Sequence, residues 1–245
     1  MHRLTKKSKF GLLMLLLLAI ITLASITGLA QFEPSPGKKP VADITDSIAG
    51  KYAMLSKEFG ENKEIPVAYE KQILYALSYF PELIHTKIKF EIKKSSGGLI
   101  STRPTIGILL RKSSKRTYIV LIYDSTEGRK LPVFGNADVN GQVGILGHEL
   151  CHIIYFNNST GFGLLGLGVA HISSGFMDRF EYKTDSMDIE RGLGYQLIAW
   201  NEYLHKGFKA MRVNEPPSPE KSGSHKRYMS IEQIREVMAK SKLYQ

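Results

Sequence analysis

His148, Glu149 and His152 form the pattern HExxH, and their residue types and spacing suit them to one kind of chemistry. On a helix, two histidines four residues apart stack on one face, about one turn from each other. Imidazoles placed this way can take adjacent corners of a tetrahedral Zn²⁺ site. Glu149 lies one residue further round, so its carboxylate flanks the metal instead of binding it. There it can accept a proton from a water acidified by the zinc. This is the arrangement for metal-assisted hydrolysis.

A catalytic zinc takes a third protein ligand and leaves one position open. The extended pattern HExxHxxGxxH needs Gly at 155 and His at 158, and this chain has Tyr155 and Asn158. The reversed order HxxEH is also missing, so a carboxylate from a second helix is expected. Glu181 in FEYKTDSMDIERGLG is the best choice, with Asp185 one turn later on the same face. Asp185 can then accept the outward N–H of a ligating histidine and fix its tautomer. Asp178, Asp188, Glu190 and His171 compete as ligands, but none combines a helical setting with a second carboxylate four residues on. Cys151 shares the helix and reads as a small buried hydrophobe. His171, Tyr182, Tyr195 and Arg191 are candidates to stabilise an oxyanion, and spacing does not choose among them.

These residues resemble those of the gluzincin metallopeptidases. The nearest pattern is the membrane-associated group with HExxH and ExxxD, which includes CAAX prenyl proteases and heat-shock membrane proteases. The resemblance runs from Gly141 to about Leu197. It implies zinc ligands at His148, His152 and Glu181, a general base at Glu149 and a supporting acid at Asp185. It also implies a zincin-like α+β fold with a small antiparallel or mixed sheet, an active-site helix and C-terminal helices. An edge strand of such a sheet would pair with a peptide substrate. Members of that group usually have several membrane helices, whereas this chain has one apolar run.

The elements that must hold the site can be read along the chain of 245 residues. Residues 1–30 join a basic start (Arg3, Lys6, Lys7, Lys9) to an uncharged run from Phe10 to Ala30. That is a signal peptide or an N-terminal membrane anchor. The length of the run favours an anchor, and its Gly28-Leu29-Ala30 end favours cleavage. Either topology puts the remainder outside the cytoplasm, membrane-anchored or secreted. Residues 31–44 read as a Pro/Gly-rich linker, and 45–245 as one domain.

Thr45 or Asp46 should cap a first helix ended by Gly60, and Pro66 should open a second. Alternation at Ile88, Phe90 and Ile92 predicts a strand, and 105–110 and 117–123 are two more β-rich runs. Arg111 to Arg116 between them reads as a solvated hairpin turn. Asn140 or Asp138 should cap the motif helix, where Gly144 and Gly147 require a close approach by another backbone. The glycine-dense run from Gly161 to Gly175 suggests a flexible connection that could serve as a lid. Helical periodicity returns over 176–189 and 195–203, and Ser230 with Gln233 forms a capping box for a last helix.

The net charge is +10, four of it from the leader, and no Arg/aromatic pattern suggests nucleic acid. Cys151 is the only cysteine, so no intramolecular disulfide can form. The sequence therefore points to a zinc metalloendopeptidase acting on a peptide or protein substrate, with one Zn²⁺ ion. The other reading is a catalytically inactive zincin-fold binding domain.

Overall fold

The computed structural model describes residues 36–95, 99–105, 107, 111–112, 115–126, 132–160, 164, 173–212 and 228–245. The chain is α+β, with a small mixed sheet packed against several helices. The sheet runs in the order β1 (Lys63–Glu64), β2 (Lys87–Ser95), β4 (Thr117–Thr126), β3 (Ile100–Pro104). β1 and β4 lie parallel to β2, while β3 is antiparallel to β4, with Ile100 opposite Ile122 and Pro104 opposite Tyr118. Ile88, Phe90, Tyr118, Val120 and Ile122 send one face of the sheet into the core.

Of the run expected as a strand at 105–110, Thr105 and Gly107 are described and lie outside the β3 ladder, which ends at Pro104. Thr105 still bonds the Thr117 carbonyl through its N–H, and Gly107 then turns the chain with φ of +85°. Residues 106 and 108–110 lie outside the described set. The basic turn also differs from its solvated reading at one residue. Arg116 is buried, and its Nη1 donates to the carbonyls of Phe156 (2.7 Å) and Ser159 (2.8 Å). It thereby satisfies carbonyls at the end of the motif helix, where a cation also suits the helix dipole.

Helix α1 (Thr45–Phe59) ends at Gly60 and α2 (Glu70–Leu77) follows a short turn opened by Pro66. Neither Thr45 nor Asp46 caps α1; the residue at its N-cap is Ile44, and Asp43 accepts from the Thr45 N–H. The motif helix α3 spans Val139–Asn158. Asp138 caps it, accepting from Gly141 N at 2.7 Å, while Asn140 instead accepts from the N–H of Ile44. Val143, Leu146, Leu150 and Ile153 are all buried on its core side.

Helix α4 (Ser174–Asp188) carries Glu181 and Asp185, and a π-type segment at Ile189–Leu193 joins it to α5 (Gly194–Arg212). Gly192 in that joint has φ of +101°, which only glycine adopts without strain, and its open side faces the Lys38 carbonyl. Residues 36–44 are thus packed as well as composed like a linker: Lys38 N donates to Arg191 O, and Gln196 donates to Val41 O. The last helix, α6 (Ile231–Lys240), has both hydrogen bonds of the Ser230/Gln233 capping box.

Among the described residues, no helix is long and apolar enough to cross a membrane. The Phe10–Ala30 run lies outside them, as does the glycine-rich connection apart from Leu164 and Ser173 to Gly175.

Candidate metal centre

Three helices meet at the site because glycines let them approach. Gly141, Gly144 and Gly147 recur every three residues along α3. A Cβ on Gly144 would collide with the Gln196 backbone of α5, and one on Gly141 would lie 3.3 Å from Trp200 Cα. A Cβ on Gly147 would strike the Asp188 carboxylate of α4. The helix-weakening glycines are therefore the contact surface that seats α4 and α5 against the HExxH turn.

With the helices so placed, one carboxylate oxygen reaches both imidazoles. Glu181 Oε2 lies 3.1 Å from His148 Nε2 and 3.4 Å from His152 Nε2. One ligand atom from each of the three residues falls within 4.8 Å of the others. A tetrahedral ion with bonds of 2.0–2.1 Å separates its ligand atoms by about 3.3 Å, which the two distances from Glu181 Oε2 to the imidazoles approach. All three residues are buried, and they are the only such His/Cys/Asp/Glu group among the described residues.

Support behind the ligands is uneven. His148 Nδ1 donates to Asp185 Oδ1 at 2.7 Å, and the other oxygen of Asp185 accepts from Met229 N at 2.8 Å. Asp185 is therefore bonded on both oxygens and orients His148, as a carboxylate behind a metal-bound histidine does. His152 is held instead by rings: it stacks on Phe180 (5.1 Å) and on Phe156 (6.3 Å). Its Nδ1 is buried with no hydrogen-bond partner among the described residues.

The electrostatics of the cluster favour positive charge between its carboxylates. Burial alone would lower the His148 pKa, but its hydrogen bonds to Asp185 and Glu181 outweigh burial and raise it well above the ordinary value. Burial likewise opposes the charged form of Glu181, yet the bonds from His148 and His152 hold it far below the usual carboxylate range. A proton on His148 thus does part of the work of a metal, balancing carboxylates that would otherwise face each other in a dry site. Glu149 Oε2 is buried with no hydrogen-bond partner among the described residues, beside the candidate ligands and lining the adjoining cleft. The donor set, its spacing and this orphaned oxygen all fit a bound divalent ion with Glu149 next to it.

Other sequence candidates have different positions. Arg191 is buried over the Phe80 ring, bonded to Glu82 and to the Tyr79 carbonyl, so it braces the α4–α5 joint. Tyr195 packs against Tyr244, and Tyr182 is exposed on α4. Glu190 is exposed and Asp178 half-buried, and neither joins the cluster. Burial raises the Cys151 thiol pKa well above normal, which suits its packing role. His171 lies outside the described residues.

Sequence reasoning did not single out Tyr228, whose ring meets that of His148 edge-on at 5.7 Å. Eighty positions separate them, and the only nearby signal was the capping box that fixes where α6 begins. Comparison with known proteins finds no relative: no family model matches the chain, and no curated protein and no solved structure is similar to it.

Proposed function

We propose that the chain is a zinc-dependent metallopeptidase with a zincin-like domain of the gluzincin kind. The observation that carries the reading is the approach of Glu181 Oε2 to both Nε2 atoms of the HExxH histidines, at 3.1 and 3.4 Å. His148, His152 and Glu181 would hold the ion, and Asp185 would fix His148 through its Nδ1–H. When bound, zinc supplies Lewis acidity and lowers the pKa of a coordinated water. Glu149 takes the proton of the attacking water on its carboxylate and hands it to the leaving amine. Its burial beside the ligands favours that exchange, since no other described group competes for Oε2. Strand β3 is an edge strand of the sheet among the described residues, and an extended peptide would lie along it. The N-terminal apolar run would keep the domain outside the cytoplasm, anchored in the membrane or released from it.

Glu149→Gln tests the reading, because it preserves shape and removes the base. The variant should bind zinc as the parent does and lose peptide hydrolysis, measured on a mixed peptide library with and without chelator. Cleavage at the parental rate would remove Glu149 from the mechanism. A parent protein that binds zinc and cleaves nothing would favour the inactive binding domain instead.

A further inference from the structure

The sheet has two faces, and among the described residues only one of them packs into the core. Ile88, Phe90, Tyr118, Val120 and Ile122 point inward and are buried. Side chains alternate along a strand, so Ile119, Leu121 and Tyr123 of β4 point the other way. All three are half-buried, and among the described residues they neither join a core cluster nor pack against one. That is unusual for their setting. β1, β2 and β4 run parallel, and parallel strands are normally covered on both faces, with near-continuous apolar sequences. β4 has such a sequence in Tyr118-Ile119-Val120-Leu121-Ile122-Tyr123.

Charge frames this apolar stripe. Register places Lys89 and Arg103 on either side of Ile119, and Glu91 and Ser101 on either side of Leu121. Lys87 and Lys93 extend the same row of β2. Lys89 pairs with Glu64 at 2.6 Å, and Lys93 with Glu91 at 3.1 Å. Lys87 and Arg103 are exposed and have no ion-pair partner among the described residues, so the face is net positive.

We propose that this outer face of the sheet docks on a bilayer surface bearing anionic lipid headgroups. The inference goes beyond the peptidase reading and rests on the anchored form of the N-terminal run. Ile119, Leu121 and Tyr123 meet the headgroup boundary, while the Lys and Arg stems lie along it and carry their charges to lipid phosphates. Reach favours this occupant. Five residues, 31–35, separate the apolar run from Pro36, where the described chain begins, and they span at most about 18 Å. The chain then enters near the start of β2: Lys38 N donates to Arg191 O, and Arg191 bonds Tyr79 O and Glu82. A face so tethered meets the bilayer at high effective concentration. Charge disfavours a second copy, since face against face sets like cations opposite one another.

The full-length protein, reconstituted in vesicles of equal parts phosphatidylcholine and phosphatidylglycerol, tests this. Leu121→Cys and Met54→Cys each offer one site for a fluorophore, because the native Cys151 is buried. Met54 is exposed on α1, whose buried side joins the core beneath the inner face of the sheet. With a quencher on the lipid headgroups, the label at 121 should lose most of its emission and the label at 54 little. Phosphatidylcholine alone should remove that contrast. So should Lys87→Gln with Arg103→Gln at unchanged zinc content, since each charge neutralised lowers the docked-to-undocked ratio about fivefold.

Equal quenching at both positions, or the same contrast in phosphatidylcholine alone, would overturn the proposal. A label at 121 that is shielded from aqueous iodide yet untouched by the lipid quencher would overturn it too, in favour of a second copy on the face. If the protein does not insert and stays in solution, the anchored reading fails. Flotation with the anionic vesicles alone then upholds the face, and flotation with both kinds of vesicle or with neither strikes it.

Discussion

Asp185 and Asp188 sit on the same helix, three residues apart, and both are fully buried, yet the structure treats them in opposite ways. Asp185 accepts from His148 on one oxygen and from the Met229 backbone on the other. Asp188 has no hydrogen-bond partner on either oxygen among the described residues, and it fills the gap left by the missing side chain of Gly147. Burial pushes its pKa well above the ordinary carboxylate value, against the pull of His148 and Arg191. A carboxylate's role here follows from the donors around it. Asp185 is wired to the His148 imidazole, whereas Asp188 is a buried acid that favours its neutral form and fills space between α3 and α4.

The largest separation between the two acids should appear in metal affinity. Asp185→Asn should weaken zinc binding about 10- to 100-fold, because the amide cannot orient His148 as the carboxylate does. Competition with a chelator of known affinity measures this, and Asp188→Asn in the same assay should stay near the parent. Equal losses in both would erase the distinction.

Next comes packing. Gly147→Ala should destabilise the fold by about 1–3 kcal/mol, since the added methyl meets Asp188 and Leu193 in a core that cannot yield. Denaturant unfolding reads this, and adding Asp188→Ala should recover part of the loss. Full additivity of the two substitutions would mean that Gly147 and Asp188 do not share that space.

Smallest is the effect of Asp188→Asn on stability in acid, within about 1 kcal/mol below the ordinary carboxylate range, where the carboxyl is protonated in both the folded and the unfolded chain. Its pH dependence carries the sign. The folded carboxyl holds its proton more tightly than the unfolded one, so the parent loses stability as pH climbs from the ordinary carboxylate range toward the raised folded value. The Asn variant lacks that slope and should gain on the parent as pH rises. A parent that gains on the variant instead would mean that Asp188 is charged in the fold.

Much of the site was legible because helical spacing is local. Four residues separate the histidines of HExxH, and four separate Glu181 from Asp185, so each pair reads as one face of one helix. The need for close backbone approach at Gly144 was legible for the same reason, since a glycine mid-helix must be explained by its neighbours. What was not legible depends on distant parts of the chain. The more polar ISTRP segment was not expected as a strand, yet it pairs with β4 at the sheet edge, where register with β4 decides. Arg116 looked like part of a solvated basic turn, and only the folded position of the α3 C-terminus makes it a buried cap. Tyr228 reaches His148 through the packing of the last segment, which no local pattern encodes.

Zinc titration of the full-length protein, with proton release followed in buffers of different ionisation enthalpy, tests the central claim most directly. The account predicts one zinc per chain, bound more tightly as pH rises, because the metal must displace the proton that His148 holds above its ordinary pKa. Binding should fall sharply in Glu181→Ala. Failure to bind stoichiometric zinc, or an affinity that Glu181→Ala leaves unchanged, would contradict the assignment of His148, His152 and Glu181 as a metal centre.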